Sequence, residues 1–193
     1  MSKAFVQQKK RHMHKLFLAQ ESGKVDTKIR FLLNTINNIE GYYTTSSCSG
    51  RCIVLQLPTI GDKKNATFLG RWHDSFLVED LKSSLEQRKS GLLFFLCQPP
   101  ILHVVCKDFC MAEQMIEIGL HSGFKNSCLR SFRKKIVVEL CSTETLHVPL
   151  GNGQEVYVTD CFLSHLTDVS HQLFLRCEEK IKALDLALKE KFR

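Results

Sequence analysis

The run Thr44-Thr45-Ser46-Ser47-Cys48-Ser49-Gly50-Arg51 packs five hydroxyl side chains, a thiol, a glycine and a cation into eight consecutive residues. Hydroxyls and backbone N–H groups donate to anions, Gly50 lets a ligand approach the backbone, and Arg51 can grip a carboxylate or phosphate with two parallel bonds. An anion-binding loop is the chemical expectation; a plain polar turn is the competing reading, since serine and glycine are routine in turns. Two basic clusters offer a second chemistry. Residues 1–15 hold Lys3, Lys9, Lys10, Arg11 and Lys15 without an acid, and residues 125–135 hold Lys125, Arg130, Arg133, Lys134 and Lys135, again without an acid. Together with a formal charge of +7 and a pI near 9.0, they favour a polyanionic partner, against which stands the reading of two solvated faces that only keep the chain soluble.

The nine cysteines are odd in number and scattered, so they cannot all pair within one chain, and reduced thiols of a cytoplasmic protein are expected. Cys48/Cys52 and Cys106/Cys110, with His12, His14 and His103, are weak metal candidates because neither pair has Cys-x-x-Cys spacing; no metal is expected. No apolar stretch approaches the roughly 20 residues that span a bilayer, and the basic start has no signal-type apolar region behind it.

The elements that must position these residues are legible as periodicities. Residues 3–18 place Phe5, Val6, Met13, Leu16 and Phe17 near one helical face. After Gly23, Asp26 is placed to cap a second helix whose stripe is Ile29, Leu32, Leu33, Ile36 and Ile39, ended by Gly41. That helix feeds the serine-rich segment, expected as a loop. Residues 52–57, 68–72, 92–96 and 101–106 read as short strands, with a helix over 76–88; Pro99-Pro100 divides the third strand from the fourth. A helix over 111–121, strands over 127–132 and 135–141, and a long helix over 160–192 complete the chain. The expected fold is a single α+β domain over residues 1–193: a mixed or antiparallel sheet covered by the N-terminal helices and the long C-terminal one. No Gly-x-Gly-x-x-Gly loop of the Rossmann kind follows a strand.

The segment Tyr42-Tyr43-Thr44-Thr45-Ser46-Ser47-Cys48-Ser49-Gly50-Arg51 resembles the signature of the wybutosine-synthesizing protein 3 family, written around Ser-Cys-Ser-Gly-Arg. Further similarities follow in order: Gly23 and Val25-Asp26 before the signature, then Trp72-His73, Ile101-Leu102-His103-Val104, Ala112, Gly123-Phe124-Lys125-Asn126-Ser127 and Val148-Pro149-Leu150. The resemblance extends over residues 5–190. It departs at Leu18-Ala19-Gln20-Glu21-Ser22-Gly23, where an Asp-x-Ser-x-Lys-Gly pattern is usual, and at Cys128, where the family commonly has glycine.

The resemblance implies a non-Rossmann enzyme that moves a methyl group from S-adenosylmethionine to N4 of the 7-aminocarboxypropyl-demethylwyosine intermediate. That base is the modified guanine 3′ of the anticodon of tRNA-Phe. On this reading Ser46, Ser47, Ser49, Gly50 and Arg51 hold the donor, Tyr43 and Trp72 meet the base, and Lys134 and Lys135 meet the tRNA backbone. His103 and His73 are the candidate bases for the displaced proton, an imidazole titrating near neutrality. Other enzymes of the wybutosine pathway are further candidate partners. The alternative is a noncatalytic tRNA-binding relative that has lost the donor.

Overall fold

The fold was read from a computed structural model that describes residues 3–193. In chain order the elements are α1 (Lys3–Glu21), a 3-10 turn (Thr27–Ile29), α2 (Arg30–Asn38), β1 (Tyr42–Cys48), β2 (Arg51–Leu57), β3 (Thr67–Trp72), α3 (Val78–Glu86) and β4 (Leu92–Gln98). They continue with β5 (Ile101–Cys106), α4 (Phe109–His121), β6 (Cys128–Ser131), β7 (Ile136–Cys141), β8 (Leu146–Asn152) and α5 (Asp160–Lys191). The α+β class stands, and of the mixed and antiparallel options the second is realised: every strand pairing among the described residues is antiparallel. Two four-stranded sheets form in place of the one anticipated, in the orders β1-β5-β7-β6 and β3-β2-β4-β8.

The chain divides into two compact units, each assembled from separate stretches: residues 1–49, 99–143 and 177–193 in the first, 50–98 and 144–176 in the second. The first unit packs α2 and α4 on its sheet. Ile29, Leu32, Leu33 and Ile36 meet Leu102, Val104, Val138 and Leu140, and Ile181, Leu184 and Leu188 from the end of α5 join the same cluster. The strand residues of this cluster recur at every second position, Leu102 and Val104 on β5 and Val138 and Leu140 on β7, the period of 2 that puts them on one face. A satellite cluster of Phe5, Tyr43 and Val105 ties α1 to the sheet. The second unit buries Val54, Phe76, Leu81, Leu93 and Phe95 with Leu163, Leu166 and Phe174 from the start of α5. The apolar stripe expected to make the last helix a core element therefore does so in both cores.

Two strands depart from the sequence expectation, and both lie on sheet edges. Thr44 to Cys48, from the Thr44–Arg51 run expected as a loop, belong to strand β1; Tyr42 to Thr44 are buried, and a bulge between Thr44 and Ser46 shifts the rest. Strand β8 contains Pro149, which is tolerated because an edge strand needs a donor on one side only. Asp26, expected to cap the second helix, makes no side-chain cap bond; its carboxylate is turned to Ser49.

Candidate active site

In the first unit the bulged strand β1 lays its hydroxyls along a cavity of ≈ 400 Å³. Thr44 to Ser47 form one wall, and His12 and Lys15 of α1 with Lys24 of the following turn supply the others. A volume in the range of small-molecule sites, with hydroxyls facing two lysines, suits a ligand carrying a carboxylate or phosphate. Of the residues expected at the donor, Ser46 and Ser47 line this cavity. His12 has its pKa lowered, first by burial and then by the positive charges of Lys135 and Lys15. An anion among these groups would relieve that repulsion.

The floor beneath β1 is held by a polar cluster that sequence spacing does not reveal. The buried Asn37 of α2 accepts from the Thr44 N–H (2.9 Å) and places its side-chain amide on the Thr44 hydroxyl (2.8 Å). At the strand's end the Ser49 N–H and hydroxyl both donate to Asp26 Oδ2, at 2.8 and 3.0 Å. The anion bound by this part of the segment is thus the protein's own carboxylate, so Ser49 shapes the turn. Gly50 follows with φ +99°, a conformation that favours glycine. Arg51 belongs to the second unit, where its Nε donates to Gln98 Oε1 at 2.6 Å.

Behind the cavity wall His103 of β5 is bonded at both ring nitrogens. Nδ1 lies 2.7 Å from Ser46 Oγ and Nε2 lies 2.7 Å from Glu139 Oε2, with Arg130 Nε 3.6 Å from the same carboxylate oxygen. Strand register produces the row: Ser46 is paired with His103 across β1 and β5, and His103 with Glu139 across β5 and β7. Directly opposed residues of an antiparallel sheet share a face, so the three side chains meet without a loop to carry them.

Tyr43, expected to meet the base, stands at the buried end of β1. It is fully buried, its hydroxyl donates to Gln8 Oε1 at 3.0 Å, and its ring packs on Phe5 and stacks with His12 at 5.1 Å. It sets the position of His12. Lys134 and Lys135 line a second cavity of the first unit, ≈ 270 Å³, with Gln8, Lys107, Phe132 and Arg133. Phe132 is 61% exposed beside three consecutive cations; an aromatic placed in a basic run was the available signal for nucleic-acid contact, and composition alone passed over it. Trp72 and His73 belong to the second unit, Trp72 ending β3 and His73 following it. One face of the Trp72 indole is already stacked on Phe76 at 4.5 Å, which leaves it half-buried and fixed in orientation. Cys106, weighed as a metal ligand, is buried with its thiol pKa pushed up to about 12, chiefly by desolvation.

Comparison with known proteins places these features in a family. The family model described as "Methyltransferase TYW3" matches residues 7–190. A Thermococcus sibiricus protein named tRNA(Phe) 7-((3-amino-3-carboxypropyl)-4-demethylwyosine(37)-N(4))-methyltransferase is 39% identical over 184 residues, covering 95% of this chain and 93% of its own length. A Methanocaldococcus jannaschii protein of the same name is 37% identical over 177 residues, with 91% and 92% covered. A solved Pyrococcus horikoshii structure superimposes with a TM-score of 0.91 at 38% identity over 95% of each chain. A structure from Aeropyrum pernix, at 21% identity and TM-score 0.76, shares the fold. With a family match across nearly its whole length and the hydroxyl-bearing β1 strand at the centre of its candidate site, this chain belongs to the TYW3 methyltransferase family.

Proposed function

We propose that this protein methylates N4 of the aminocarboxypropyl-demethylwyosine base of tRNA-Phe, with S-adenosylmethionine as donor. The observation that carries the reading is the cavity bounded by Thr44 to Ser47, His12, Lys15 and Lys24 inside the family match. Its hydroxyls and cations fit an amino-acid carboxylate, which both the donor and the aminocarboxypropyl arm of the base possess. Bound there, the donor supplies an electrophilic methyl on a sulfonium.

The chain's own work is alignment. Attack requires the acceptor nitrogen within about 3–3.5 Å of the methyl carbon in line with the breaking bond, and holding that geometry lowers the barrier by several kcal/mol. Ser46 and Ser47 face the ligand, while Ser49, bonded to Asp26, keeps the end of β1 in place and Gly50 turns the chain there. His103 is the base toward which the proton leaves the acceptor nitrogen. Lys134, Lys135, Arg133 and the exposed Phe132 receive the tRNA, the cations on phosphates and the ring against an unstacked base.

The test is single-turnover methylation of tRNA-Phe carrying the unmethylated intermediate, read by mass spectrometry of the digested nucleoside. Gain of one methyl group is expected with the parent protein, and slowing of the transfer step with retained ligand binding in His103→Asn. A parent protein that binds both ligands and transfers no methyl would overturn the reading.

A further inference from the structure

His103 stands one residue back from the cavity: the lining residues include Ser46 and, among the described residues, neither His103 nor Glu139. Its two ring nitrogens are already bonded, to Ser46 and to Glu139, each at 2.7 Å. A base in that position has no free nitrogen to present to a substrate.

We infer that Ser46, His103 and Glu139 form a proton relay, in which the Ser46 hydroxyl is the group that touches the substrate and Glu139 is a positioning residue that fixes the ring. The inference rests on the methyltransferase reading given above. An ionised carboxylate only accepts, so the bond to Glu139 places the ring proton on Nε2. Nδ1 is then left with its lone pair, and the Ser46 hydroxyl donates to it. As the donor in that bond Ser46 keeps its oxygen lone pairs to accept with, and the residue lines the cavity. As the nitrogen–methyl bond forms and the sulfur–methyl bond breaks, with the electron pair staying on sulfur, the acceptor nitrogen's proton passes to Ser46 Oγ. The hydroxyl's own proton passes to His103 Nδ1, and the resulting imidazolium faces the Glu139 carboxylate.

Two features of the fold support the assignment. The three residues are consecutive cross-strand neighbours on β1, β5 and β7, so backbone pairing sets their spacing. The His103 and Glu139 side chains are only 30% and 17% exposed, which shields the pair from full solvent screening. Arg130, from β6, is the other charged group recorded on this carboxylate, and its 3.6 Å approach leaves the shorter bond to the histidine.

The experiment has a structural and a kinetic readout. Nitrogen-15 NMR of the ligand-free protein at pH 8 should report His103 as the Nε2–H tautomer, with Nδ1 unprotonated, and Glu139→Gln and Glu139→Ala should both mix the tautomers. In single-turnover methylation, Ser46→Ala and His103→Asn should each slow transfer about a hundredfold, and the double variant should be no slower than either. Glu139→Gln should slow it about tenfold with donor and tRNA affinities unchanged. An Nδ1–H or doubly protonated ring in the parent, or additive effects of the two single variants, would overturn the relay. The expected tautomer with unchanged rates in all variants would also overturn it as the proton's route, while leaving standing the methyltransferase reading, which fails only if the parent protein transfers no methyl.

Discussion

Replacing Asp26 by alanine removes the acceptor of two bonds that fasten the end of β1, one from the Ser49 N–H at 2.8 Å and one from its hydroxyl at 3.0 Å. Ser49 is only 5% exposed, so water does not freely replace the lost carboxylate. A hydrogen bond to a charged group contributes about 1.5–3 kcal/mol net, and a buried donor left without an acceptor costs about 1–3 kcal/mol. Asp26 is half-buried, which lets some solvent reach the gap and keeps the sum below the upper bound. The expected loss for Asp26→Ala is therefore about 2–4 kcal/mol. Ser49→Ala deletes only the hydroxyl bond and should cost about 1 kcal/mol, and the double variant should cost less than the two singles added. Urea unfolding followed by circular dichroism measures these values, and hydrogen exchange at the Ser49 amide reports the bond itself. An Asp26→Ala protein within about 0.5 kcal/mol of the parent, with the Ser49 amide still protected, would refute the argument, since surface substitutions commonly fall in that range.

Lys134→Glu with Lys135→Glu should weaken tRNA binding and lower the slope of log affinity against log salt by about 1.4, taking about 0.7 per phosphate of a single-stranded segment; filter binding between low and moderate salt reads it. His12, whose pKa is lowered by burial and then by Lys135 and Lys15, should titrate closer to its ordinary value in Lys135→Gln, as followed by proton NMR. Because the folded state holds that proton less tightly than the unfolded chain, the His12 contribution to stability is present above pH 6.5 and is lost as pH falls through the lowered folded value, visible as a falling urea midpoint. Gly70→Ala would drive a Cβ into the Trp72 indole, which covers Gly70. Trp72 should leave its stack on Phe76 at a cost of about 1–3 kcal/mol, and because the chain has one tryptophan, its fluorescence maximum reports the change directly.

The sequence discloses elements whose side chains repeat with a clear period. The stripes of α2 and α5 are visible because burial on one helical face forces apolar residues to every third or fourth position, and β4, β5 and β7 because β-branched and aromatic residues crowd them. Strand β1 hides behind its own chemistry: Thr45 and Ser46 lie exposed on an edge, where a strand needs no apolar alternation. Strand β8 hides behind Pro149, for the edge reason given above. The division into two sheets leaves no local mark, since it depends on which strands pair. Ser46 and His103 are identifiable singly, but their contact comes from register, and Glu139 reads as an ordinary outward charge between Val138 and Leu140. Asp26 has the spacing of a helix cap, and a partner 23 residues away at Ser49 takes its carboxylate instead.

The chain passes between its two units at residues 49/50, 98/99, 143/144 and 176/177, which bears on how such a molecule comes into being on a ribosome. The first core needs Ile181, Leu184 and Leu188 alongside Ile29 and Leu32, residues about 150 positions apart, so it cannot close until that part of α5 has been made. The second core waits for Leu163, Leu166 and Phe174. Both cores thus mature together, late, from a nascent chain whose apolar strands have long lacked their covering helix. Folding of this kind is slow because distant contacts must form before they reward the chain, and it leaves the unfinished protein dependent on protection from aggregation. A stop codon anywhere before α5 removes part of both cores at once, and the truncated product should be cleared by proteolysis without accumulating as a partly active fragment.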